Sequence, residues 1–273
     1  MGWNIGNTGE TGLFVGGENI IRDNLIFYLD PGDYNCVPDG TGNDDEITEL
    51  ALGDDGDITS DDDEINDIWT ESDGAPCFQF DGSGDEYITF SPIDVSEFVT
   101  GNSNTAGAIT SCVWFRTSHM DSGAEGGLLT IENYTYHIHF DSSQIQQFAA
   151  DDDSGSHNEY TVVSVTPYND DNWHFLVGVM NNTSSTIGDT SAAACAIYID
   201  DMVTPVATST FHASFQFRDT NTDLSIGIVD SNTWPYEGEI GPVMIYSDYC
   251  LSEEERIYNY NVHRHRYYDT AIG

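Results

Sequence analysis

The sequence contains no lysine. Six arginines are its only strong cations, set against 48 acidic residues, for a formal net charge of -42 over 273 residues. Proteins that grip nucleic acid neutralise phosphates with clustered Lys and Arg, so nucleic acid is excluded as an expected partner, and anionic membrane surfaces with it. No run approaches the ~18 apolar residues of a membrane-spanning helix, which argues against membrane insertion. The opening Met1-Gly2-Trp3-Asn4-Ile5-Gly6 lacks the basic and apolar segments of a secretory signal. Five cysteines are scattered, odd in number and without Cys-x-x-Cys spacing, which excludes a zinc cluster and a complete disulfide framework. The expected reading is buried thiols made in a reducing cytoplasm, with one or two bridges left open.

What the chain does have is aromatic: 13 Phe, 15 Tyr and 5 Trp, within 38% hydrophobic residues. A disordered acidic protein would lack them. A globular chain of this length buries roughly three quarters of its unfolded surface. Like charge in this quantity strains a fold at low salt, whereas at molar salt the Debye length shrinks to ~3 Å. The composition therefore predicts a protein of a very salty milieu, the alternative being an acidic secreted or virion protein of ordinary salinity. Mild acid is expected to relieve the repulsion at low salt, as carboxylates neutralise near their reference pKa of ~4.

Residues 1–19 are rich in Gly and Asn and read as an N-terminal arm ahead of one domain over 20–273. The stretch from Asp39 to Asp73 holds 15 acidic residues and no basic one. It reads as a long solvated loop insertion with one short strand around 47–52. Short strands are expected at 24–30, 78–80, 86–90, 109–115, 126–132, 135–140, 144–149, 159–165, 173–179, 195–200, 211–217, 224–229 and 238–246. The period of two is cleanest over 173–179, where Trp173, Phe175, Val177 and Val179 alternate. One helix is expected over about 253–264. Ser252 and Glu255 form a capping box, and Glu253 and Glu254 against Arg264 and Arg266 suit the helix dipole. Its inward face is expected to carry Ile257, Tyr260 and Asn261.

Several segments together resemble the laminin-G-like, concanavalin A-like jelly-roll family. Asn24 to Asp30 is similar to its opening strand, and Phe78-Gln79-Phe80-Asp81-Gly82 with Asp85-Glu86-Tyr87-Ile88 to its "F-x-F-D-G … D-x-Y-I". Ile109 to Phe115, Trp173-His174 and Ala196-Ile197-Tyr198-Ile199-Asp200 match further strands, with Asp201 where glycine is usual. Gly238-Glu239-Ile240 through Tyr246, then Leu251-Ser252-Glu253-Glu254, resembles the family's "G-x-I … V-x-I-Y-x-x-x-L-S-x-E" ending. The resemblance runs from residue 24 to about 262, and the acidic insertion departs from it. It implies an all-β fold, a sandwich of two antiparallel sheets with one short C-terminal helix, of a kind used for carbohydrate or protein binding and found in virion proteins of tailed viruses and in adhesins.

For ligand contact, loop aromatics are the expected sugar platforms, because sugar C–H faces pack on rings while carboxylates accept hydroxyl hydrogen bonds. Trp234, beside Pro235, is the first candidate; Tyr134 and Trp3 follow. For Trp234, packing beneath a loop is an equal alternative, and Trp114 and Trp173 read as structural. Catalytic residues are expected to be none, since no Glu-x-Asp-x-x-Glu strand is present, although glycosidases share the fold. Asp54-Asp55-Gly56-Asp57, Asp61 to Glu64 and Asp151 to Asp153 carry hard oxygen ligands without calcium-loop spacing; calcium or other cations stay open, with no ligands assigned. His137 and His139 share a strand face and read as exposed strand histidines rather than half of a zinc site. The glycosylation sequons at Asn133 and Asn182 are expected to be unused.

The expected function is a non-enzymatic virion surface protein of a virus of a halophilic host. It would serve as a capsid decoration, turret or tail-associated module made in the host cytoplasm, with capsid or tail proteins as partners. Homo-oligomerisation through the arm and contact with host surface glycans belong to this reading. The alternative is a cellular carbohydrate-binding module or adhesin, and after it a glycoside hydrolase.

Overall fold

A computed structural model of the chain describes residues 20–37, 46–60, 68–94, 108–120, 124–131, 136–150, 159–181, 195–209, 221–229 and 233–268. Two antiparallel sheets face each other. The first runs β14 (Ala207–Ser209), β13 (Cys195–Ile199), β12 (His174–Asn181), β7 (Ala108–Arg116), β16 (Glu237–Ser247), β5 (Ala75–Asp81) and β4 (Trp69–Ser72), with β1 (Leu25–Leu29) also paired to β16. The second runs β11 (Glu159–Val163), β10 (Gln144–Ala150), β9 (Tyr136–Asp141), β8 (Glu125–Ile131), β15 (Asn221–Ile226), β6 (Tyr87–Asp94), β3 (Asp55–Thr59) and β2 (Glu46–Thr48). The expected all-β sandwich is what the chain forms.

β16 serves two partners along one edge, opposite β7, because it is interrupted. Residues 237–240 pair with β5 and 243–246 with β1, and its register against β7 shifts between Ile240 and Val243. Gly241 and Pro242 occupy that shift, where the ladder needs neither a proline N–H nor a side chain on glycine. A Cβ on Gly241 would stand 2.8 Å from the Tyr267 hydroxyl and 2.9 Å from Trp114 Cβ.

The first sheet is covered on both sides. On its inner face Ile109, Val113, Phe115, Leu176 and Met180 join Phe78, Phe80, Ile138 and Phe140 in the core between the sheets. On its outer face Cys112, Trp114, Trp173, Phe175 and Val177 pack with Tyr246 and Tyr267 under the helix. The alternation over 173–179 therefore marks the helix-facing side of β12.

The helix α1 spans Glu253–Tyr267, three residues beyond the expected 264, and starts with the expected capping box at Ser252 and Glu255. Its buried face corrects the sequence expectation. Arg256, Asn259, His263 and Tyr267 are buried, Ile257 and Tyr260 are half-buried, and Asn261 is exposed. Hydrogen bonds set this register. Arg256 donates to the carbonyls of Met202 (3.1 Å) and Leu251 (2.7 Å) and lies 3.9 Å over the Tyr198 ring. Asn259 donates to Tyr246 Oη at 2.8 Å and accepts from the Ile21 amide at 2.9 Å. Trp114 stacks on Tyr267, ring centres 4.8 Å apart.

The acidic stretch 39–73 is a second correction. Its described residues include β2, β3 and β4 rather than one solvated loop. In β3 the exposed Asp55 and Asp57 alternate with buried Gly56 and Ile58, so the charges occupy the solvent face of a real strand. Instead of the strand expected to reach 52, a turn follows β2. It is built on the buried Glu49, whose carboxylate accepts the amides of Tyr28, Ala51, Leu52, Gly53 and Asp54 at 2.5–3.2 Å. Burial still pushes its pKa up.

All five cysteines are free thiols. Burial raises them all, Cys77 to about 12 and Cys250 to about 11. The arm at 1–19 and the strand expected at 211–217 lie outside the described residues, and no helix among those described is long and apolar enough to cross a membrane.

Candidate functional site

The chain between β15 and β16 folds back over the outer face of the second sheet, and three ties hold it there. Thr130 Oγ1 donates to the Ile228 carbonyl at 2.9 Å, and the Gly127 amide to the Trp234 carbonyl at 2.9 Å. The Tyr236 amide donates to the Gly227 carbonyl at 2.8 Å. Glycine at 127 is what permits the crossing: an added Cβ would lie 2.4 Å from the Ile228 carbonyl carbon. Gly227 makes the turn at φ +90°.

Trp234 sits in this crossing with φ +53°, an unusual backbone state for so large a side chain. Its indole lies over the imidazole of His139, ring centres 5.4 Å apart and planes 18° apart. His139 meets His137 edge-on at 4.7 Å, and His137 stacks on Phe148 at 4.4 Å with planes 3° apart. The face thus carries a row of four rings, of which Trp234 is the half-buried outer member.

His137 and His139 are buried, which corrects their reading as exposed strand histidines. Burial holds both below the ordinary imidazole range, His139 at about 4 and His137 well down, so both are neutral at pH 7. Without charge, the imidazoles can stack on neighbouring rings at no cost of burying an ion. His139 Nδ1 has no hydrogen-bond partner among the described residues.

Polar side chains continue the same face toward the end of β9. Gln146 lies opposite His139, and Asp141, next on that face, lies opposite both Glu125 and Gln144. Gln146 Nε2 donates to Asp141. Burial and the facing Asp141 push the Glu125 pKa up. A ring, two amides and two carboxylates on one face can take a sugar ring against the indole and accept its hydroxyls.

A separate cleft of about 260 Å³ lies where β16 begins, lined by Phe80, Asp81, Thr117, His119, Glu237 and Glu239 among others. Several of its carboxylates are paired. Arg116 is paired with Asp73 (2.8 Å), Asp171 (3.0 Å) and Glu239 (3.5 Å), and His119 with Glu237 (3.1 Å). His174 is likewise held between Asp200 (2.7 Å) and Asp170 (3.0 Å); burial lowers its pKa, but the two carboxylates outweigh that and raise it.

Of the residues singled out from sequence, Trp234 is at the surface of a built face, while Tyr134 and Trp3 lie outside the described residues. His139 was missed as the ring under Trp234, and Gln146, Asp141 and Glu125 as the polar continuation of that face; no local sequence signal brings residue 234 to the β9 strand. The aspartates 61–63 and 151–153 also lie outside the described residues, and among those described no group of three or more metal-type side chains converges.

No curated protein matches the chain in sequence. Solved structures do match in fold. The receptor-binding domain of botulinum neurotoxin C/D mosaic serotype aligns at 11% identity with a TM-score of 0.56, over 88% of this chain and 52% of that one. The binding domain of Paraclostridial Mosquitocidal Protein 1 aligns at 13% and 0.59, again over 88% and 52%. The botulinum neurotoxin serotype D ligand-binding domain in complex with N-acetylneuraminic acid aligns at 13% and 0.55, over 88% and 52%. This chain thus spans about half the length of each, and at these identities the likeness shows the fold. A laminin-G-type family model, described as the concanavalin A-like lectin/glucanases superfamily, matches residues 68–255. With the sandwich observed and more than half of its length matched, the chain belongs to the concanavalin A-like lectin/glucanases superfamily.

Proposed function

We propose that the chain is a non-enzymatic glycan-binding module working at high salt. One observation carries the reading: Trp234 is held half-exposed, in a left-handed backbone state, on a buried histidine and beside amide and carboxylate side chains. Backbone strain in a bulky residue persists where surroundings enforce it, and ligand sites are where it concentrates. The superfamily includes lectins, and the serotype D toxin domain carries a bound sugar acid, which supports a sugar-binding use of this fold. The superfamily also includes glucanases. Against hydrolysis stands the pairing of the cleft carboxylates, Glu237 with His119 and Glu239 with Arg116.

A glycan array probed in molar salt tests the proposal. Hits are expected, and Trp234→Ala should weaken them by about 1–3 kcal/mol, by analogy with bases stacked on aromatic side chains. An array without hits sinks the reading, and hydrolysis of a bound oligosaccharide sinks its non-enzymatic part.

The setting we propose is the surface of a virion of a halophilic host, with the arm at 1–19 driving self-association or docking on the particle. The acidic, lysine-free composition supports the saline part. The chain should be found by mass spectrometry in purified particles, and deletion of 1–19 should abolish assembly while leaving the sandwich folded. Absence from particles, or assembly without the arm, removes the corresponding part.

A further inference from the structure

We infer that the Trp234 face takes uncharged, hydroxyl-rich glycans and discriminates against sialylated ones. This rests on the glycan-binding reading above and names its ligand class.

The polar groups around the ring row are acceptors and amides. Asp141 and Glu125 stand directly opposite each other across β8 and β9, two like charges with no cation between them among the described residues. Like charges in that position disfavour the pairing unless something donates to them. Sugar hydroxyls are donors, and an ionised carboxylate accepts without donating. Asp141 already accepts from Gln146 and from the Ser142 hydroxyl, and a neutral glycan whose C–H face lies on Trp234 supplies further donors to the two carboxylates.

A sialylated glycan brings a third carboxylate, for which the described residues of this face offer amide donors but no cation. Lysine is absent, and five of the six arginines are placed away from the site. Arg116 is enclosed by Asp73, Asp171 and Glu239, and Arg266 is paired with Asp30. Arg256 and Arg264 belong to α1, and Arg22 precedes β1 on the helix side of the first sheet, where its charge acts on Tyr246. The sixth, Arg218, lies outside the described residues. His137 and His139 are uncharged near neutral pH, being buried. The whole chain adds a field of the same sign, with its net charge of -42. Molar salt screens that field beyond ~3 Å but not a contact between carboxylates. Discrimination should therefore shrink with salt without vanishing.

The test is an array of glycans in matched pairs, each with and without a terminal sialic acid, probed with the full chain in molar salt and again in ~0.3 M salt. The neutral member of each bound pair should bind at least tenfold more tightly, and the gap should widen at the lower salt. Asp141→Asn with Glu125→Gln should narrow it, and Trp234→Ala should weaken binding of both members alike. Arg218→Ala should leave neutral binding unchanged, with a thermal melt confirming that each variant is folded. Sialylated members that bind as well as their neutral partners overturn the inference while leaving the glycan reading in place. So does a gap that the double variant leaves untouched. A blank array, or binding indifferent to Trp234→Ala, overturns the glycan site itself and this inference with it.

Discussion

Asp30 and Arg266 meet at 2.6 Å across 236 residues of sequence, joining the end of β1 to the last turn of α1. The carboxylate is fully buried, and its other contacts are also filled. Oδ1 accepts the Gly32 amide at 2.9 Å and Oδ2 the Tyr28 hydroxyl at 2.7 Å. Tyr28 Oη also lies 3.0 Å from His263 Nε2. Because the tyrosine proton goes to Asp30, His263 carries its own on Nε2 and donates to the tyrosine oxygen. Burial alone would raise the Asp30 pKa; Arg266 and then His263 overcome it, and the carboxyl lies below its ordinary value.

Breaking this pair should be costly because it spans a fully buried carboxylate: Arg266→Ala takes the cation from Asp30, and Asp30→Asn removes the charge that anchors the last turn of α1. Asp30→Asn and Arg266→Ala are each expected to lower unfolding free energy by about 3–5 kcal/mol, a large part of the ~5–15 kcal/mol of a typical domain. Urea denaturation at constant molar salt measures it. A loss below about 1 kcal/mol for both would mean the helix is held by its aromatic contacts alone.

Acid should destabilise the protein before it relieves repulsion. Burial holds His139 and His263 at about 4 and His137 well below its ordinary value, whereas free imidazole titrates near ~6.5. Between those values the unfolded chain binds more protons than the folded one, so stability falls as pH falls from about 6.5 to 4. At ~1.4 kcal/mol per pH unit of difference, His139 and His263 account for about 3 kcal/mol each. His174 acts oppositely: its raised pKa adds stability below about 6.5 that is lost as pH rises through the folded value. Asp30, being lowered, gives up its contribution only below about 3.8. The melting temperature should therefore drop between pH 6.5 and 4.5, even at low salt, contrary to the expectation from charge alone. A rise over that window would show that carboxylate repulsion outweighs the buried imidazoles.

Salt should raise the melting temperature steeply up to about 1 M, where screening changes most. Arg116, Arg266 and His174 are already enclosed by carboxylates, so acids such as Asp55 and Asp57 on β3 are left to the solvent. Neighbouring carboxylates repel by roughly 1 kcal/mol in bulk water, and 48 acids share the chain. Thermal melts from low to molar salt at neutral pH are the measurement. A flat profile removes the case for a halophilic origin.

Gly127→Ala should lift the crossing segment and take Trp234 off His139. The new Cβ would meet backbone atoms of Ile228 and Val229 at 2.4–2.6 Å, and backbone cannot rotate aside as a side-chain tip can. Overpacking of this kind costs about 1–3 kcal/mol. Glycan affinity should fall with it, and tryptophan fluorescence should shift as the indole leaves the imidazole. Unchanged affinity and emission would mean that the stack does not depend on this crossing.

Much of the fold was legible in local pattern. The alternation in Trp173 to Val179 and in Ile109 to Phe115 appears as β12 and β7, and Ser252 with Glu255 marks the start of α1. The helix face was misread because its buried side chains are Arg256, Asn259 and His263, which hydropathy assigns to solvent. The acidic stretch departs from the expected loop because dense charge does not exclude a strand: β3 needs only Gly56 and Ile58 on its inner side. At the candidate site, Trp234 was legible as a loop aromatic, but its partner His139 lies 95 positions away along the chain and reads locally as an exposed polar residue.

Composition alone determined the charge regime, since net charge is a sum that no fold can alter. Binary pattern alone determined where the short strands and the capped helix fall, since pleat and capping are local properties, and the two-sheet sandwich was implied by the resemblance to the jelly-roll family. Tertiary structure decided what lies on each face. It buried His137, His139 and His263 and so set their protonation, because desolvation depends on everything packed around a group. It also carried Trp234 across Gly127 onto His139, because a site is a meeting of distant segments and sequence neighbours do not report it.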